Sequence, residues 1–153
     1  MKTHLHYQIC EYDCGPTTMM NAMSFLFSRE QLVPEIVQHI MLYSLDAYNA
    51  KGEIGKNGTS RVAMMFLSSW LTQFGRACHF PVVCEYLSGQ SVYLGDKSLL
   101  TQALHCNGAV IARLNYGDDH YVLLTGQEEN QVSMFDPYYR KRPFVQRDIQ
   151  LLE

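Results

Sequence analysis

From Gly15 to Phe27 the chain carries Met19, Met20, Met23, Phe25, Leu26 and Phe27 at helical spacing, and Pro16 suits the first turn of a helix. A helix that is apolar on most of its sides has to be buried, so the other elements must fold as layers around it. The residue that opens this segment is Cys14, preceded by Gln8-Ile9-Cys10-Glu11-Tyr12-Asp13. A thiol at a helix start meets unpaired backbone N–H groups and the positive end of the helix dipole, which favour thiolate over thiol and so favour a nucleophile. Taken alone, a cysteine is more often a small buried hydrophobe, so the nucleophile reading requires a base elsewhere in the chain.

His120, in Asp119-His120-Tyr121-Val122-Leu123-Leu124, and Asp136, in Ser133-Met134-Phe135-Asp136-Pro137, are the candidates. Each lies at the edge of a short apolar run that reads as a strand, and Gly126-Gln127-Glu128-Glu129-Asn130 between the runs reads as a turn. Antiparallel pairing would set the two side by side, with the carboxylate holding one imidazole nitrogen and the other nitrogen facing the thiol. Asp119 is closer in sequence, but neighbours on a strand point to opposite faces, which disfavours it as the partner. Gln8, six residues before Cys14, can place a side-chain amide beside the Cys14 backbone N–H, making two donors for an oxyanion.

Gln8, Asp13-Cys14-Gly15, His120 with its aromatic and aliphatic run, and Asp136-Pro137 together resemble the bacteriocin-processing cysteine peptidases, papain-like domains that remove double-glycine leader peptides. The order Gln, Cys, His, Asp and the sixteen-residue step from His120 to Asp136 are similar to that family. The resemblance implies Cys14 as nucleophile, His120 as general base and then acid, Asp136 as orienting residue and Gln8 as oxyanion donor. It also implies an α+β papain-like fold, with a helical N-terminal half carrying the nucleophile and a mainly antiparallel C-terminal sheet. Family members often form one end of a membrane exporter with an ATPase domain; this chain looks like a free-standing relative whose exporter would be a separate partner. Pro16 and Thr17 after Gly15 resemble the broader papain-like group at least as well as the leader peptidases.

The 153 residues, 47% of them apolar, suit a single domain spanning 1–153. A net charge of −3 and no Lys/Arg block speak against nucleic acid as a partner; the expected partner is a peptide or protein substrate. No apolar run approaches the length that spans a bilayer and Met1–His6 lacks a signal-peptide core, so a cytoplasmic location is expected. Five cysteines, Cys10, Cys14, Cys78, Cys84 and Cys106, cannot all pair within the chain. Cys10 and Cys14 with His4 and His6 suggest zinc on paper, but no second well-spaced pair follows, so neither metal nor cofactor is expected. Cys78, Cys84 and Cys106 read as core residues, and the Tyr138-Tyr139-Arg140-Lys141-Arg142 cluster as a solvated turn without function.

Further helices are expected from Leu32 to about Leu45, from a Thr59 or Ser60 cap to about Phe74, and from an Asp96 cap over Lys97–His105, with Asn107-Gly108 as its stop. The glycine-rich stretch 46–58 reads as a loop beside a cleft. Phe80–Leu87, Ser91–Leu94, Ala109–Asn115, Tyr121–Thr125 and Val132–Phe135 read as strands. The expected activity is peptide hydrolysis through an acyl-enzyme. The same thiol would also serve an acyltransferase or transamidase, and a groove without turnover would make a peptide-binding module.

Overall fold

The computed structural model describes residues 4–115, 119–128 and 131–138, together with the backbone of 145–148. The first helix, α1 (Cys14–Leu26), starts one residue before the expected Gly15 and buries Cys14, Gly15, Thr18, Met19, Asn21, Ala22 and Met23. Asp13 stands at its N-cap but does not cap it. The Asp13 carboxylate instead accepts from the backbone N–H groups of Ile9 and Cys10, both at 3.0 Å, and so folds the preceding loop against the helix start.

Helix α2 (Pro34–Tyr43) begins with proline at its first position and stops short of Leu45; Ser44 turns its hydroxyl back onto the Ile40 carbonyl. Ile36 and Ile40 are fully buried. Helix α3 (Arg61–Cys78) is capped by Ser60, whose Oγ accepts from Ala63 N–H at 3.1 Å, and it runs one turn past the expected Phe74. Gly75 lies in that extra turn because a Cβ there would come within 2.4 Å of the Val82 carbonyl, where the chain folds back along the helix.

Two expected strands are corrected. Phe80–Leu87 and Ser91–Leu94 form no ladder among the described residues. The backbone N–H and C=O of Cys84 both bond to the Thr72 hydroxyl at 2.8 Å, so this extended segment is tied to α3, and Gly89–Ser91 is a short 3-10 turn. Helix α4 (Leu99–His105) is capped by Ser98 rather than Asp96; Ser98 Oγ accepts from Leu100 and Thr101 N–H. Asn107 beyond it takes the left-handed conformation, φ 58°.

The sheet is β1 (Val110–Asn115), β2 (Asp119–Glu128), β3 (Gln131–Phe135) and β4 (Val145–Asp148), in that order, every pair antiparallel. Sequence reasoning did not anticipate β4. Gly126, Gln127 and Glu128, expected in a turn, continue β2 by pairing with Ser133, Val132 and Gln131 after a bulge; Glu129 and Asn130 lie outside the described residues. Tyr139–Arg142 of the basic cluster and Met1–Thr3 lie outside them too.

Tyr121 through Leu124 of β2 are all buried, so the sheet is covered on both faces. On one face Tyr121 and Leu123 meet the helical layer of Met19, Ala22, Met23, Ile36, Ile40, Met64, Leu67 and Leu71. On the other, Val122, Leu124, Val132 and Met134 pack with Leu100 and Leu104 of α4. Helices first and an antiparallel sheet second make an α+β fold, as the order of patterns indicated. No helix among the described residues is long and apolar enough to cross a membrane.

Candidate active site

Continuing the Leu123↔Phe135 register past the end of β3 places Tyr138 opposite His120 and Asp136 diagonal to it on the same face. The imidazole Nε2 of His120 lies 2.8 Å from Asp136 Oδ1. Asp136 is 4% exposed, and the same Oδ1 also accepts from Tyr138 N–H at 2.9 Å. The Tyr138 ring meets the imidazole edge-on, with centroids 6.3 Å apart. Asp119 faces the other way and pairs with Arg113, as strand alternation requires.

Helix α1 delivers Cys14 to this pair. Thr18, one turn beyond the cysteine, donates its buried hydroxyl to the Tyr121 carbonyl at 3.1 Å, so the helix is bolted to β2 one residue from the base. The Cys14 side chain is near enough to the His120 ring to bear on its protonation. With Nε2 on the carboxylate, Nδ1 is the nitrogen left for the sulfur. Burial opposes a positive charge on His120, but its hydrogen bonds to Asp136 and Cys14 and their negative charges outweigh that, raising its pKa from 6.5 to about 9. The ring therefore carries its proton through neutral pH.

Gln8 is 7% exposed and held from two sides. Its backbone N–H donates to the Pro137 carbonyl at 3.0 Å. Two residues earlier, fully buried Asn21 of α1 accepts from His6 N–H at 2.7 Å and donates to the His6 carbonyl at 2.8 Å. The Gln8 amide nitrogen donates to the Cys10 carbonyl at 2.7 Å, within the loop that leads into Cys14. One of its two amide hydrogens is thus committed to ordering that loop, and the second is the one that could serve an oxyanion.

The 46–58 loop closes where the Asp46 carboxylate accepts from the Ser60 N–H at 2.9 Å and from its hydroxyl, and a Tyr48↔Ile54 bridge stiffens it inside. Thr59 at its end presses on the turn that carries the nucleophile: a Cβ on Gly15 would lie 2.0 Å from Thr59 Oγ1. Sequence reasoning passed over Thr18 and Asn21, and named Thr59 only as a possible helix cap. For the first two a signal existed, since a threonine and an asparagine on the buried side of an otherwise apolar helix need partners; for Thr59 there was none.

All five cysteines are free thiols. The expectation that Cys78 and Cys106 are core is corrected: both are exposed, because one ends α3 and the other caps α4. Cys84 is half-buried, and burial pushes its thiol up to about 11, which makes it a poor nucleophile. Among the described residues no cluster of His, Cys, Asp and Glu is arranged to hold a metal ion. Comparison of the chain with protein-family models, curated proteins and solved structures finds no match.

Proposed function

We propose that this protein is a cysteine peptidase with a papain-like arrangement, in which Cys14 attacks a peptide carbonyl and His120 handles the proton. One observation carries the reading: a single imidazole bonds Asp136 and is close enough to the thiol at the start of a buried helix for that thiol to raise its pKa. An ordinary core cysteine has no use for an oriented histidine.

In this reading the Cys14 sulfur, having ceded its proton to His120, bonds to the substrate carbonyl carbon. The oxyanion that forms accepts from the Cys14 backbone N–H and the second amide hydrogen of Gln8. His120 then gives its proton to the departing amine, leaving a thioester on Cys14. Water, deprotonated by His120, releases the acid and restores the thiol. Asp136 keeps the ring oriented and favours its charged form. The order and spacing of Gln8, Cys14, His120 and Asp136, similar to those of the double-glycine leader peptidases, support a peptide with small residues beside the cut, exported by a separate transporter. A thiol nucleophile accompanied by four other free thiols suits a reducing compartment, which points to the cytoplasm.

The test is mass spectrometry of the purified protein with precursor peptides encoded near its gene, against the Cys14→Ala variant. Cleavage by the parent, with a thioester-linked fragment trapped on Cys14, supports the reading; equal cleavage by Cys14→Ala rejects it.

A further inference from the structure

On the sheet face turned towards the helices, the side of β2 opposite that of His120, two polar groups lie without hydrogen-bond partners among the described residues. Arg113 of β1 and Tyr121 of β2 are directly opposite one another in the antiparallel ladder, so their side chains share that face. The Tyr121 hydroxyl and the Arg113 Nε–H are both buried and neither has a hydrogen-bond partner among the described residues. Tyr121 is 4% exposed and packs in the same cluster as Cys14. A buried hydroxyl and a buried guanidinium N–H left unpaired are costly, and both can donate, so the pair is set for an acceptor.

We infer that the Arg113–Tyr121 pair is a subsite for a carboxylate on the substrate, an acidic side chain or a free C-terminus close to the bond that is cut; this rests on the peptidase reading above. Arg113 supplies a cation on the pair itself, which offers an incoming carboxylate a charge-assisted partner. Burial, the largest influence on the Tyr121 hydroxyl, holds it protonated against the opposing pull of Arg113 and Arg61, so it stays a donor. The protein already places a carboxylate there: Asp119, on the same face two residues before Tyr121, bridges to the Arg113 guanidinium. The Asp119 side chain is 53% exposed while that of Arg113 is 24% exposed, so Asp119 lies towards solvent and the buried Tyr121 lies deeper. An incoming carboxylate displaces Asp119 from the guanidinium and takes the unused donors below it. Planar, forked recognition of this kind is what arginine provides and lysine does not.

The experiment uses alkylation of Cys14 by N-bromoacetyl-β-alanine and by its neutral amide, with the rate ratio of the two probes measured for each protein, so that any general change in thiol reactivity cancels. The parent is expected to favour the carboxylate probe by about tenfold, the worth of one charge-assisted hydrogen bond. Tyr121→Phe and Arg113→Lys should each lower the ratio severalfold, and Asp119→Asn, which removes the internal competitor, should raise it. A ratio near one in the parent, or one that none of the three variants moves, overturns the subsite.

A second readout separates this from failure of the peptidase reading. In Cys14→Ala protein carrying 13C-labelled tyrosine, acetyl-aspartate amide should shift the Tyr121 signal, identified by its loss in Tyr121→Phe, and acetyl-asparagine amide should not. A shift with an unreactive Cys14 would keep the subsite and discard the peptidase. No shift discards the subsite whatever Cys14 does.

Discussion

Replacing Gly15 with alanine probes the contact that joins the 46–58 loop to the nucleophile's turn. The added Cβ would lie 2.0 Å from Thr59 Oγ1, 2.6 Å from its Cβ and 3.2 Å from its Cγ2, so Thr59 must retreat by more than an ångström. It is poorly placed to do so, being 6% exposed and flanked by Ser60, which is tied to Asp46 and caps α3. Overpacking of this kind costs about 1–3 kcal/mol. Alanine returns about 0.5–1 kcal/mol through helix propensity, which leaves a net loss of about 0.5–2 kcal/mol. For a domain of this size that is a fall in Tm of about 1–8 °C. Denaturant unfolding of Gly15→Ala, alone and with Thr59→Ser, Thr59→Ala and Thr59→Gly, measures it. Serine keeps the nearest atom and should rescue nothing, alanine should rescue in part, and glycine should abolish the coupling in a double-mutant cycle. A Gly15→Ala protein as stable as the parent, or additive effects in the Thr59→Gly cycle, would refute the argument.

His120→Ala should cut kcat/KM by about 10²–10⁴-fold, the usual range for a general acid–base, and Asp136→Asn by less, with the alkaline limb of the rate profile moving below pH 9; an unmoved limb in Asp136→Asn would remove Asp136 from the mechanism. Because the folded pKa of His120 is raised from 6.5 to about 9, its contribution to stability is complete below about pH 6.5 and is lost as pH climbs through 9, so unfolding free energy should decline over that window and the decline should flatten in Asp136→Ala. Asn21→Leu removes both bonds to the His6 backbone and should destabilise the fold by about 2–3 kcal/mol, read as a shifted urea midpoint, because the His6 N–H and C=O lose their partner. Timed iodoacetamide labelling should modify Cys14 faster than exposed Cys10, Cys78 and Cys106, and Cys84 last; Cys14 reacting no faster than those three would remove it as the nucleophile.

The chain's pattern was enough to identify the helices and the strands of the His120 hairpin, because an apolar face at a 3.6-residue period and short β-branched runs bounded by turn residues are local properties. It also put His120 and Asp136 at the edges of neighbouring strands, and the structure brings the two within 2.8 Å. Strand assignment failed at Phe80–Leu87, where residues with β character found a helix hydroxyl, Thr72, in place of a neighbouring strand; local preference cannot foresee which partner the backbone meets. For the same reason the fourth strand and the two-residue delay at the start of α4 escaped it.

What only the tertiary structure decided is where the polar groups between the layers end their bonds. Thr18 reaching Tyr121 and Asn21 holding His6 depend on elements far apart in the chain meeting at hydrogen-bond distance, and Asp13 folding its own loop, Gln8 spending a hydrogen on Cys10 and Arg113 standing opposite Tyr121 depend on how that loop and the strands are set against them. Residue identity decides which chemistry a side chain can perform. The partner it finds, and so the charge it holds, depends on packing that no local window of sequence contains.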